Sequence, residues 1–376
     1  MRIDQNDDVL IKKLIELAVK GLEPLYDREQ KLFIHRIVLS GQEQMPRLWS
    51  TTYTPITLLG LLKARDHGVN MTWFDETEIM QALIRSIETH DSRPGDIGLI
   101  LWADAKTGGN YLSQLLKLMQ EQVHGDALAQ RSTTELSWFL TGLCYSQINH
   151  PENELIKDLA HVVYKAVVNN FGRETGLFSH LIGNGRYSSI RSNIGNFADQ
   201  SYSIYSLSVF YEAYNLPESR EIALQCANMI CELQGGRGEW WWHYHSKQGG
   251  IASRFPVFAV HQDGMAPMAL LKISGISGQD FGGPIRKGLD WLLGGNDMAV
   301  EMIDWERNVI WRDIERVYPL STIRYGSYAL AQAGLSRPLQ LLESVPARKV
   351  NREMRPYETG WLLYAFADQL KVEGAT

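Results

Sequence analysis

The sequence predicts an all-α fold, an (α/α)6 toroid in which six inner helices are jacketed by six outer ones and short β-hairpins fill the loops at one rim. Three observations carry that expectation. Apolar residues recur at helical spacing in twelve segments. These alternate strictly between helices with one apolar face, which belong outside, and helices apolar or small nearly all round, which belong inside. Finally, the connections fall into a short class and a long class. An irregular helical solenoid is the alternative, because the repeats diverge widely.

Taken in order, the outer segments are 8–22 (Leu10, Leu14, Leu17), 76–88, 110–122, 152–170 (Leu155, Leu159, Val162, Ala166), 217–233 and 283–294. Each is followed by an inner segment: TTYTPITLLGLLKA at 51–64, GDIGLILWADA at 95–105, TTELSWFLTGLCYS at 133–146, FADQSYSIYSLSVFYEAY at 197–214, HQDGMAPMALLKI at 261–273 and PYETGWLLYAFADQL at 356–370. Gaps from inner to outer helix are mostly short (106–109, 147–151, 215–216, 274–282, with 65–75 longer), whereas outer-to-inner gaps include 23–50, 171–196, 234–260 and 295–355. Long loops in a compact fold are usually functional, so one rim is expected to carry the site. The same rim receives the N-termini of all six inner helices, whose unpaired N–H groups favour carboxylates and anions. DREQKLFIH (27–35) aligns with GRETGLFSH (172–180) and more loosely with DWERNVIWR (304–312), each just after an outer helix, and the three are expected to form hairpins over that rim. The whole of 1–376 is read as one toroid domain.

Composition sets the outer bounds. The chain has 376 residues, 44% hydrophobic and 21% charged, with a formal charge of −6, so no basic excess suggests nucleic acid or an anionic membrane. No apolar run approaches the ~20 residues of a membrane helix. Three cysteines are too few for a disulfide framework, and the polar start MRIDQNDDVL is no signal peptide, so a cytoplasmic protein is expected. No phosphate-loop or dinucleotide fingerprint occurs, and no cofactor is expected. Eleven Trp and sixteen Tyr are the unusual entry.

Asp199 and Asp263 each lie in the first turn of an inner helix, on helices adjacent in the ring. A carboxylate there can simply complement the helix dipole, worth ~0.3–1 kcal/mol. Both starts also face the expected cavity and carry neighbouring donors, Gln200 and Tyr202 beside one, His261 and Gln262 beside the other. Paired acids in unlike environments perform acid–base work, which makes Asp199 and Asp263 the expected catalytic pair, with His261 assisting. For His261 a satisfied core histidine is the alternative. His243, His245, His261 and Asp263 imitate a metal set, but spacing shows no convergence and His243 aligns with His35 and His180 of the hairpin repeat; no metal is expected.

Glu135 is explained by the capping box STTE at 132–135, and Asp96 and Glu358 follow prolines as helix starts do, so whether these three acids line the cavity is open. Arg191, Arg254, Arg312 and Arg355 lie in or beside long rim loops, suited to clamping a carboxylate. Trp240, Trp241 and Trp242 are expected to alternate on a strand, so that at least one ring leaves the core. The expected substrate contacts are Trp241, Trp242, His243, Tyr202, Gln200, Gln262, Arg191, Arg312, Glu358 and Trp361.

Two resemblances attach to these motifs. Gln234, Gly238 and Trp240 form Q-x-x-x-G-x-W, with WLLGG at 291–295 as a degenerate copy. This resembles the repeat of squalene-cyclase and prenyltransferase toroids, and implies that Gln234 and Trp240 tie outer helices together. The elements FADQ-x-Y-x-I, WWWHY, VHQDGMAPMAL and RPY-x-x-GWLLYA resemble toroidal proteins associated with bacterial polysaccharide gene clusters, over roughly the last half of the chain. Toroidal glycosidases, lyases and epimerases place acid or base groups at this rim, an analogy of fold. A carbohydrate-active enzyme, whether hydrolase, lyase or epimerase, acting on an oligosaccharide or uronic-acid-containing glycan is therefore the expected function. A terpenoid cyclase with an aspartic acid donor and a non-catalytic glycan-binding protein are the alternatives. A polar lining with Arg and carboxylates favours sugar, and a dry lining favours cyclisation.

Overall fold

A computed structural model describes residues 5–38, 48–89, 93–181, 192–316 and 348–369. All twelve expected helices form. Outer α1 (Gln5–Leu22) leads to inner α2 (Tyr53–Asp66), α3 (Glu76–Glu88) to α4 (Asp96–Lys106), and α5 (Leu112–Gln122), through a short α6 (Gly125–Ala129), to α7 (Thr133–Asn149). Then α8 (Glu154–Asn169) leads to α9 (Phe197–Tyr214), α10 (Pro217–Glu232) to α11 (Ala266–Ser277), and α12 (Gly282–Leu292) to α13 (Pro356–Phe366). The inner helices α2, α4, α7, α9, α11 and α13 pack in that order and α13 closes onto α2, which a solenoid would not do.

Burial follows the sequence pattern. Inner α9 buries every side chain from Phe197 to Phe210 except Ala198. Outer α8 buries one face, but the stripe is Ile156, Leu159, Ala160, Val163 and Val167, and Leu155 and Val162 of the expected stripe are exposed. The two stripes are adjacent rows on one helix, and the rotation of α8 against its neighbours chooses between them. Glycines allow the inner helices to touch backbone to backbone. A Cβ on Gly60 of α2 would collide with the Gly360 carbonyl of α13, and one on Gly142 of α7 would stand 2.5 Å from the Gly98 oxygen of α4.

The repeat becomes three hairpins in equivalent register: Tyr26↔Phe33, Phe171↔Phe178 and Ile303↔Ile310 are antiparallel partners. Broader sheets cover the same rim, one joining Ile194–Asn196, His243–His245 and Ile251–Ser253, the other Val257–Phe258, Asp313–Arg316 and Arg348–Asn351. The strand begins at His243, so Trp240, Trp241 and Trp242 precede it rather than alternate on it. Gln234 donates from Nε2 to the carbonyls of Gly238 (3.0 Å) and Pro284 (2.9 Å), joining the end of α10 to the start of α12 as the Q-x-x-x-G-x-W motif implies, and Trp240 is fully buried.

One inner helix starts irregularly. His261–Met265 is a π-turn, and regular helix begins at Ala266. Pro267 offers no N–H to the Asp263 carbonyl, and the turn widens so that the Ala266 N–H bonds the His261 carbonyl instead. Among the described residues no helix is long and apolar enough to cross a membrane.

Candidate active site

The N-termini of the inner helices surround a cavity of about 660 Å³. Thr52, Tyr53 and Ile56 come from the start of α2, Arg93, Gly95 and Asp96 from that of α4, and Ser132, Thr134, Glu135 and Trp138 from α7. Asn196, Phe197, Ala198 and Tyr202 of α9 continue the wall, followed by His261, Met265 and Tyr357. Rim loops add His180, Trp242, Phe258 and Arg312. The lining mixes aromatic and apolar faces with carboxylates, arginines and hydroxyls.

Two carboxylates stand on that wall. Asp96, only 1% exposed, accepts from the hydroxyls of Thr51 (2.9 Å) and Thr52 (2.7 Å) and from the Arg93 N–H (3.0 Å). Burial outweighs these bonds and holds its carboxyl above the usual aspartate range. Glu135 closes the capping box read in the sequence, accepting from the Ser132 N–H at 2.9 Å, and its other oxygen lies 3.6 Å from the Arg131 guanidinium. Its side chain folds over Gly95: a Cβ on Gly95 would fall 2.6 Å from Cγ and Oε1 of Glu135. Gly95, next to Asp96, thus brings the start of α4 against the Glu135 side chain of α7.

Asp199 and Asp263 share this end of the ring but lie behind the wall. Asp199 is fully buried and its oxygens are occupied. Oδ1 accepts from the Thr134 N–H (3.0 Å) and hydroxyl (2.7 Å), Oδ2 from the Asn196 N–H (2.9 Å) and His180 Nδ1 (2.9 Å). A carboxylate only accepts, so His180 carries its proton on Nδ1 and keeps Nε2 as its other polar atom. Asp263 is also buried, its Oδ1 has no hydrogen-bond partner among the described residues, and burial first, then the Glu358 carboxylate, push its carboxyl well up. Glu358 lies beneath the wall too, raised by burial to about 8 although Arg312 lies 3.7 Å away. Arg312 also approaches Asp313 (3.8 Å) and Glu353 (3.7 Å), and reaches the cavity from this acidic bed.

The remaining candidates divide. Trp242, Tyr202, His261 and Arg312 line the cavity. His261 is packed against Phe197 and Phe258, and burial lowers it to about 3, so it is neutral at ordinary pH. Trp361 is buried behind Tyr202, donating from Nε1 to its hydroxyl at 2.7 Å. Trp241 packs inward, its Nε1 on the Leu233 carbonyl at 2.9 Å, and His243 is buried against Trp242. Gln200 clamps the Phe178 backbone (2.7 and 2.9 Å) and Gln262 donates to the Phe258 carbonyl (3.2 Å), both behind the wall. Trp241, His243, Gln200, Gln262, Glu358 and Trp361 thus support the lining rather than form it. Arg191 lies outside the described residues. Among the described residues no three His, Cys, Asp or Glu side chains converge as a metal site would require.

Sequence reading left Asp96 and Glu135 open and passed over Arg93 and His180 as site residues; the structure puts all four on the lining. The signal for the acids was present, since both begin inner helices at the chosen rim. For His180 the signal was the hairpin repeat, whose last residues are His35, His180 and Arg312. Two of these line the cavity and His35 stacks on Tyr53, ring centroids 5.0 Å apart, so each hairpin delivers a basic side chain to the rim.

No family model and no curated protein matches this chain. Solved structures do. A crystal structure of an unsaturated glucuronyl hydrolase specific for heparin superposes with a TM-score of 0.63 at 14% identity, over 96% of this chain and 97% of that one. A possible GH105 family member from Klebsiella pneumoniae gives 0.61 at 13%, over 98% and 94%. The unsaturated glucuronyl hydrolase of Bacillus sp. GL1, described as responsible for glycosaminoglycan degradation, gives 0.57 at 13%, over 96% of each chain. At these identities the likeness establishes the fold alone, an (α/α)6 toroid.

Proposed function

We propose that this chain hydrolyses an oligosaccharide bearing a uronic acid, with Asp96 and Glu135 exchanging the protons. The observation that carries the proposal is the pairing of two cavity-wall carboxylates with two arginines, Arg93 and Arg312, among aromatic faces. Hydrolysis needs one group to give a proton to the substrate and another to take one from the attacking water. Asp96, its carboxyl held above the ordinary range by burial, suits the donor. Glu135, beside Arg131 and partly open to the cavity, suits the acceptor. Arg93 and Arg312 match a uronate carboxylate, and Tyr53, Trp138, Trp242 and Tyr357 offer faces for a sugar ring.

On this reading the predicted catalytic aspartates act at one remove. Asp199 is a positioning residue that fixes the His180 imidazole, and Asp263 stays behind the wall near Glu358, its carboxyl raised by burial. His261, neutral, serves as a hydrogen-bonding wall. Carboxylates and arginines on the lining favour sugar over a cyclase substrate, and Asp263, the buried acid a cyclase would need as donor, lies behind the wall rather than on it. The full-length fold shared with proteins named as unsaturated glucuronyl hydrolases points the same way.

The test is a pair of disaccharides of the same linkage, one carrying an unsaturated glucuronyl residue and one neutral. Reducing-sugar release from the acidic one alone is expected. Binding without release would leave a glycan-binding protein, and failure of the acidic sugar to bind would remove the proposal.

A further inference from the structure

A second cavity, of about 810 Å³, lies at the opposite end of the inner ring. Every inner helix reaches it, and each supplies a lysine or a tyrosine: Lys63 from α2, Lys106 from α4, Tyr145 from α7, Tyr205 from α9, Lys272 from α11 and Tyr364 from α13. The three phenols form the floor, with the Tyr205 hydroxyl 2.7 Å from those of both Tyr145 and Tyr364. One ammonium stands over each aromatic ring: Lys106 over Tyr145 at 4.1 Å, Lys63 over Tyr364 at 5.1 Å and Lys272 over Tyr205 at 6.0 Å.

Two of these ammonium groups already have carboxylates, Lys63 that of Asp368 (2.8 Å) and Lys272 that of Glu212 (2.6 Å). Lys106 has none among the described residues and is solvent-accessible. Lysines near helix C-termini do complement the dipole, but that accounts neither for their convergence on one cavity nor for three joined phenols beneath them. Although the side chain is exposed, partial desolvation of its amine in the cavity first, and the neighbouring Lys272 charge second, hold Lys106 below the ordinary lysine range, so an anion placed there relieves a repulsion already present. Asp66 and Asp280 on the same wall offer acceptors for hydroxyl groups.

We infer that this end of the toroid holds a second binding site, for a small polyhydroxylated anion such as a sugar acid or sugar phosphate. Its charged group lies on Lys106, its hydroxyls meet the wall carboxylates, and its carbon skeleton rests on the tyrosine floor. The site is independent of the chemistry proposed for the other rim.

Calorimetric titration of the full chain with gluconate and with glucose 6-phosphate, using glucose as the uncharged control, tests it. At least one of the two anions should bind and glucose should not. Lys106→Gln, a change at an exposed position, should weaken binding about tenfold or more, while Lys106→Arg keeps it within a few-fold. Turnover at the other cavity should be unaffected by either variant. Three results would overturn the inference: no binding of either anion at ~10 mM, binding indifferent to Lys106→Gln, or binding lost on Arg93→Gln instead, which would put the ligand in the first cavity.

Discussion

At the residue scale, burial lifts the carboxyls of several acids above their ordinary range, even where hydrogen bonds and arginines oppose it. Glu358 is the clearest, raised by burial from 4.5 to about 8. Its linkage to stability has a definite sign. As pH rises from 4.5 towards 8 the unfolded carboxyl releases its proton while the folded one keeps it, so the unfolded state gains and stability falls. Below that window both states are protonated, and above it both are ionised. Glu358→Gln should therefore flatten the decline in melting temperature across the window while keeping the Arg355 N–H bond to the side chain. Asp263 shares the sign and retains part of the slope; an unchanged slope would mean that Glu358 is ionised in the fold. Gly95 matters through Glu135. A methyl group at Gly95 strikes the Glu135 carboxylate 2.6 Å away, so Gly95→Ala should lower turnover by more than it lowers stability, read by kinetics beside a melting curve.

At the element scale, the helices and the hairpins were legible because their signals are local. Segment 76–88 and segment 197–214 match the observed α3 and α9 end for end, and the hairpin repeat formed in register three times. The inner helices told less about what they point where. Side chains turn about 100° per residue along a helix, so whether a first-turn acid faces the cavity or the wall depends on helix rotation. An outer helix declares its rotation through a polar stripe, whereas α9, buried almost all round, declares none. Hence Asp199 and Asp263 were placed at the correct end of the ring, yet Asp96 and Glu135 stand on the wall. The same close packing predicts opposite outcomes for two glycines. Gly60→Ala drives a methyl group into the Gly360 backbone and should cost about 1–3 kcal/mol or more. Gly275→Ala, in α11 with nothing within 4 Å, should gain roughly 0.5–1 kcal/mol from helix propensity. Chemical denaturation of the two variants checks both signs.

At the scale of the whole molecule, a closed inner ring has two ends, and the chain has furnished them differently. At the N-terminal end the helix starts and the long loops gather carboxylates, arginines and aromatic faces, the groups on which the proposed acid–base chemistry rests. Lysines and a joined tyrosine floor occupy the other end. Composition alone, at −6 overall, conceals this division, because it is the toroid that sorts charges from distant segments onto two opposite faces. The central claim is that Asp96 and Glu135, rather than the buried aspartates behind them, carry the chemistry. The most direct measurement is turnover of an unsaturated glucuronyl disaccharide by Glu135→Gln and Asp96→Asn, each beside its binding affinity. Each variant should lose about 10²–10⁴-fold in kcat with affinity changed only a few-fold. Wild-type kcat in both variants would contradict the account.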